Sequence, residues 1–193
     1  MPITKTATLA AFVGIYIYTC NIWWVSYVIQ NHYFNPFQAH VLATIGQASV
    51  VILTPVTAFL AEYVGGRVLM SLGFIGAAIT AYLLFLFSNT QNFYLLCSIQ
   101  ILYAIYNTGV TGTMFKYLTE LFPIQVRYSG QAISWSFAVA IFGGTAPLIA
   151  QYLSEHIELS YAPSFYVVLS AIIALIFNSL TSISYYKYQA ACQ

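Results

Sequence analysis

Charge is what this chain has least of. Lysine and arginine number 5 and aspartate and glutamate 4 among 193 residues, a charged fraction of 5%, against roughly 25% in an ordinary soluble domain. Hydrophobic residues make up 61% and mean hydropathy is +0.81. No water-facing surface can be built from such a composition, so the chain is an integral membrane protein. A net charge of +1 excludes nucleic acid as a partner. The three cysteines, Cys20, Cys97 and Cys192, are scattered. Their odd number argues against a disulfide framework, and no metal or redox spacing is present. They read as small buried hydrophobes, and neither a metal nor a cofactor is expected.

The chain also lacks ionisable groups at depth. No Asp, Glu, Lys, Arg or His falls near the middle of any apolar run. Proton coupling normally uses such a group inside the membrane, so this chain cannot supply one. An enzyme is excluded on similar grounds. An intramembrane serine protease with six helices needs a Gly-x-Ser nucleophile and a buried histidine within reach. No Gly-x-Ser occurs, and His32, His40 and His156 lie at or beyond one end of the spans.

What is present is a series of apolar runs. A span takes about 20 residues, and six runs qualify, at 8–29, 39–61, 68–87, 93–117, 129–153 and 163–186. The joints between them are too short to hold a soluble domain, so residues 1–193 form one six-helix unit, an all-α membrane protein. Lysine and arginine stay on the cytoplasmic side. With six spans, Lys5, Arg67, Lys116, Arg127 and Lys187 all fall on one side, while Glu155 and Glu158 fall on the other. Both termini are therefore expected in the cytoplasm. A cleaved signal peptide fits the start less well, because no small-x-small site follows the first run.

Polar residues are unevenly shared. The first run has Thr19, Cys20, Asn21 and Ser26, the fourth Gln100, Asn107, Thr108, Thr111 and Thr113, and the fifth Gln131, Ser134, Ser136 and Thr145. The third has only Ser71 and Thr80 as hydroxyls. The pattern predicts that runs one, four and five face a wet cavity and run three faces lipid; interhelical bonding by Ser and Thr is the plainer alternative. Trp23 and Trp24 are neighbours about 100° apart on a helix, so at most one faces a lumen squarely. Trp23 shares a stripe with Thr19. Trp135 lies two turns into the fifth run.

One stretch, residues 116–147, concentrates the unusual features. Lys116, Glu120 and Arg127 surround Pro123, and an apolar run follows with Gly143-Gly144-Thr145-Ala146-Pro147. Proline disfavours helix just before it. A helix should end near Phe122 and another begin near Ser129. Gly143, Gly144 and Pro147 mark a hinge or a close helix contact, and the residues leave both open.

At Glu120-Leu121-Phe122-Pro123-Ile124-Gln125-Val126-Arg127 the chain resembles the major facilitator superfamily, many of whose members carry Glu-x-x-Pro-x-x-x-Arg between helices ten and eleven. Tyr128-Ser129-Gly130, Gly143-Gly144 and Pro147 are most similar to the metabolite:proton symporters, the proline/betaine, 2-oxoglutarate and citrate carriers. Leu60-Ala61-Glu62-Tyr63-Val64-Gly65-Gly66-Arg67 resembles the family's charged loop between helices eight and nine. It departs from that loop at Glu62, Tyr63 and Gly66. The resemblance covers only the second half of the usual twelve helices. It implies two inverted three-helix repeats, a bilayer, a bacterial inner membrane, and a small polar substrate such as a proline- or betaine-like zwitterion or a carboxylate. It further implies an N-terminal six-helix half, encoded separately or lost, that holds the coupling carboxylate. A truncated or split product without activity of its own fits equally well.

The resemblance also distributes roles. Helices one, four and five correspond to those that line or border the cavity. That makes Thr19, Asn21, Trp23, Asn107, Thr108, Thr111 and Trp135 the substrate-cavity residues, with aromatic faces suited to a quaternary ammonium group. Glu62, Arg67, Glu120 and Arg127 become cytoplasmic gate charges, or else a solvated pairing of little energy.

Overall fold

A computed structural model describes the backbone at 2–122, 124–157 and 159–191, and side chains within it except at 2, 119–121, 124 and 180–191. The Glu120 and Lys187 side chains, Pro123, Glu158 and Cys192 thus lie outside the described residues. Among the described residues, six helices are long and apolar enough to cross a membrane. They are α1 (Ile3–Gln30), α2 (Pro36–Val64), α3 (Gly66–Phe87), α4 (Phe93–Leu121), α5 (Arg127–His156) and α6 (Ala162–Ala191). Local chemistry sets several of their ends. Asn35 caps α2, accepting from the Gln38 N–H at 2.8 Å, and Pro36 follows at the first turn, where a missing N–H costs nothing. Asn92 caps α4 through the Leu95 N–H at 3.2 Å. Between α2 and α3 the chain reverses on Gly65 alone, at φ +94°, a conformation that a side chain would strain.

The helices pack as two equivalent triplets. The largest contacts pair α2 with α4, α3 with α4, α3 with α6, α1 with α5 and α1 with α6. Exchanging α1 for α4, α2 for α5 and α3 for α6 maps this set onto itself. That mapping is the packing expected of two three-helix repeats of opposite topology.

α1 is the most enclosed helix. Of its most apolar window 72% is buried, against 11% for α2 and 22% for α5. α1 touches every other helix: Phe12 meets Phe74 of α3, Tyr16 meets Tyr103 of α4, and Gly14 meets Gly143 of α5, while α2 and α6 close the remaining sides. Thr19, Cys20 and Asn21 of α1 therefore lie within the unit, while Ser26 is exposed. α3 is half buried. It turns Met70, Phe74, Ala77, Ala81 and Leu84 inward and leaves Leu72, Ile75 and Ile79 exposed.

Two helices contain π turns, Tyr18–Trp23 in α1 and Val139–Gly143 in α5. A π turn carries one residue more than an α turn and occurs often at functional sites. In α5, Pro147 has no N–H to give the carbonyl of Gly143, the residue that closes the turn. Both π turns flank the place where Gly14 and Gly143 bring the two backbones together. A Cβ at Gly14 would lie 3.2 Å from the Gly143 Cα.

Candidate functional site

The interior site is built on the π turn of α1 and the middle of α4. Two residues before the π turn, the Tyr16 ring packs at 4.8 Å and a 38° tilt against Tyr103 of α4. Its hydroxyl is 2.8 Å from that of Thr80 on α3. Thr80 donates its own proton to the Gly76 carbonyl, so Tyr16 is the donor to Thr80. Asn107 approaches the Tyr103 hydroxyl at 3.5 Å. Trp24 donates to Ser88 at 2.8 Å and so points into the α3 interface.

Directly beyond this layer lie polar atoms with no partner among the described residues. Thr19 Oγ1, Asn21 Nδ2 and both Nε2 and Oε1 of Gln100 are buried and unpaired. α1 and α4 are antiparallel. Thr19 and Asn21 follow Tyr16, and Gln100 precedes Tyr103 by one turn. At 1.5 Å rise per residue, each lies about 4–8 Å from the tyrosine layer, in the same direction. They therefore share one depth. A buried polar group without a partner costs about 1–3 kcal/mol, so these groups call for a partner from outside the chain: water, a polar solute or further helices.

The remaining cavity candidates separate. Thr108 donates to Ile105 at 3.0 Å, and Thr111 donates to Asn107 at 3.0 Å. The carbonyl of Thr108 accepts from Thr57 of α2 at 3.1 Å. These two threonines serve their own helix and its neighbour. Trp23 is buried against Tyr27 and Phe85, and its Nε1 donates to Gln151 of α5 at 3.1 Å. Trp135 instead packs on Phe115. Counted from the Gly14–Gly143 crossing, Trp23 and Trp135 lie in opposite directions, about 25 Å apart along the helices at 1.5 Å per residue. They do not share one cage.

The basic end has its own cavity, of about 390 Å³, lined by Glu62, Arg67, Thr113, Lys116 and Tyr117 among others. Lys116 is 3.9 Å from Glu62, with both side chains mostly exposed. Arg67 lies 5.7 Å above the Tyr117 ring. Its carbonyl accepts from Asn178 of α6 at 3.3 Å. Lys5 lines a small crevice beside Tyr117 and Asn178, so Lys5, Arg67 and Lys116 share one end. Arg127 donates through Nε to the Phe122 carbonyl at 3.4 Å, which folds it back onto its own joint. Glu62 and Arg67 are thus brought together, and their described companion is Lys116, not Arg127. Of the hinge candidates, Gly143 is buried in the crossing, while a Cβ at Gly144 would meet nothing within 4 Å. Pro147 lies inside α5.

Sequence reasoning left Gln100, Tyr16, Tyr103, Gln151 and Lys116 out of the site. Gln100 carried a signal, an amide amid an apolar run. The tyrosines carried none, because 17 tyrosines gave no reason to prefer two.

Similar proteins point one way. A citrate-proton symporter of Klebsiella pneumoniae is 30% identical over 127 residues, 63% of this chain and 28% of that protein. A putative proline/betaine transporter of Staphylococcus haemolyticus is 26% identical over 174 residues, 90% of this chain and 37% of its own length. The proline/betaine transporter of Escherichia coli K12 is 24% identical over 151 residues, 78% of this chain and 30% of the relative. The chain thus spans about a third of the curated relatives it matches. No solved structure matches it significantly. The profile of one family aligns with residues 7–185, from the first turns of α1 into α6 and across the whole repeated packing. On that match the chain belongs to the Major Facilitator Superfamily.

Proposed function

We propose that this chain is the C-terminal half of a secondary active transporter for a small polar metabolite, a proline- or betaine-like zwitterion or a carboxylate. The observation that carries the reading is the shared layer of unpaired polar atoms at Thr19, Asn21 and Gln100. Neutral amides and a hydroxyl can hold a polar solute without a fixed charge of their own. The relatives' names, proline/betaine transporter and citrate-proton symporter, agree with that chemistry. A second six-helix half supplies the rest of the cavity and the carboxylate for proton coupling, since no ionisable residue lies mid-span here. The basic end is cytoplasmic, and Glu62, Arg67, Lys116 and Arg127 close that side in turn with the opposite one. Localisation to a bacterial inner membrane with both termini inside follows the same reading.

The test is uptake into proteoliposomes. The chain alone is expected to give no accumulation of labelled proline, betaine or citrate under a pH gradient, while a functional pair with a complementary six-helix half does. Coupled uptake by the isolated chain would remove the need for a second half. A product without activity of its own would stay silent even when paired. Orientation is read by Glu155→Cys. Labelling by an external, impermeant maleimide is expected, and protection would overturn the topology.

A further inference from the structure

At the end opposite the basic cluster, α1, α5 and the α5–α6 joint enclose a second polar cavity of about 320 Å³. Its size is at the lower edge of small-molecule sites, roughly 300–1,000 Å³. Tyr27, Tyr33, Asn31, Gln151 and Glu155 line it. Several donors around it are already engaged, while the exposed Gln30 amide also lines it. Trp23 Nε1 donates to the Gln151 oxygen at 3.1 Å, and the Gln151 amide donates to Glu155 Oε1 at 2.6 Å. Asn31 Nδ2 donates to the Tyr27 carbonyl at 2.9 Å, and the Tyr27 hydroxyl donates to the Ser160 carbonyl at 3.2 Å.

Besides the Gln30 amide, what these bonds leave for a ligand is a carboxylate and aromatic rings. Gln151 is held at both ends and so fixes Glu155 at the rim. The Tyr27 ring is pinned by its own hydroxyl. It continues into a cluster with Trp23 at 5.2 Å and Tyr33 at 6.1 Å. Among the described residues that line the cavity, Glu155 is the one charged group. Ring faces beside a carboxylate attract a cation that has lost part of its water, and they need no donor from it.

We propose that this cavity is a vestibule that captures the ammonium end of a substrate, quaternary ammonium above all, before it passes inward. The Trp23 ring joins this vestibule to the layer of Thr19 and Asn21, within one helical turn on α1. The substrate assignment rests on the transporter reading, but the binding chemistry does not, and the test separates them.

The full chain is placed in nanodiscs of phosphatidylethanolamine and phosphatidylglycerol, free of choline headgroups. Tryptophan fluorescence is followed during titration with tetramethylammonium chloride at constant ionic strength, with lithium chloride as control. A saturable change is expected with tetramethylammonium only. Glu155→Gln, an exposed and nearly isosteric change, should weaken it about tenfold, and Tyr27→Leu by a similar factor. Tyr27→Phe keeps the ring and should bind as the parent does. Equal affinity in Glu155→Gln, an equal response to lithium, or no saturable change in a chain whose circular dichroism shows it folded would each overturn the vestibule. Tetramethylammonium binding by a chain that transports nothing when paired would refute the transporter reading and leave the vestibule standing.

Discussion

The two repeats pack alike, yet their equivalent crossings are built differently. Where α2 crosses α4, neither helix has a π turn, although Pro55 lies inside α2 beside the contact. Gly112 gives room to Thr54, Thr57 and Ala58, and Gly46 gives room to the Gln100 carboxamide. Where α1 crosses α5, glycine meets glycine and each helix carries a π turn beside the contact. The same packing problem is thus solved once without π turns and once with two. A π turn carries one residue more than the α turn it replaces. Here it re-aims Thr19 and Asn21 into the interior, where an unbroken helix would keep its 100° step. The α1/α5 crossing is therefore the one built on glycine against glycine with a π turn in each helix.

The strongest way to break this contrast is to fill the glycine contact. Gly14→Leu would drive a side chain into the Gly143 backbone. It should cost about 3 kcal/mol or more, the upper range for overpacking, seen as a loss of monodisperse folded protein in detergent. An unchanged melting temperature would mean the two helices separate without penalty. Next is Gln100→Leu. Both ends of this buried carboxamide are unpaired, so replacing it should stabilise the isolated chain by about 1–3 kcal/mol. Thermal unfolding checks the sign, and a lowered melting temperature would point to partners within the chain itself.

A finer division lies within Gly143-Gly144. Gly143→Ala meets the Gly14 Cα and the Tyr18 ring at 3.3 Å, and Gly144→Ala meets nothing. The first should destabilise by about 1 kcal/mol, while the second should be neutral or slightly stabilising through helix propensity. Equal effects would detach the motif from packing and favour a hinge. The smallest effect is expected at the basic end. Glu62→Gln removes a 3.9 Å pair between mostly exposed side chains and should change stability by at most about 0.5 kcal/mol, screened further by salt. A larger loss would show that the pair organises the cavity it lines.

The sequence alone determined the class: membrane-embedded, all-helical, a transporter family and not an enzyme. Those conclusions rest on quantities that need no third dimension, namely charge scarcity, run length and the spacing of Glu120, Pro123 and Arg127. It also put Lys5, Arg67 and Lys116 at one end, because an even number of spans separates each from the next. Tertiary structure decided which polar residues matter. Thr19 and Thr108 look alike as letters, but one is left without a partner and the other is satisfied by its own helix turn. It separated Trp23 from Trp135, paired Glu62 with Lys116, and joined Gln151 to Trp23 across 128 residues. It also set the two π turns, which no residue pattern announced. Such features depend on which helices meet and at what depth. The identity of one side chain does not carry that information, because a hydroxyl or amide in a membrane is defined by what lies opposite it.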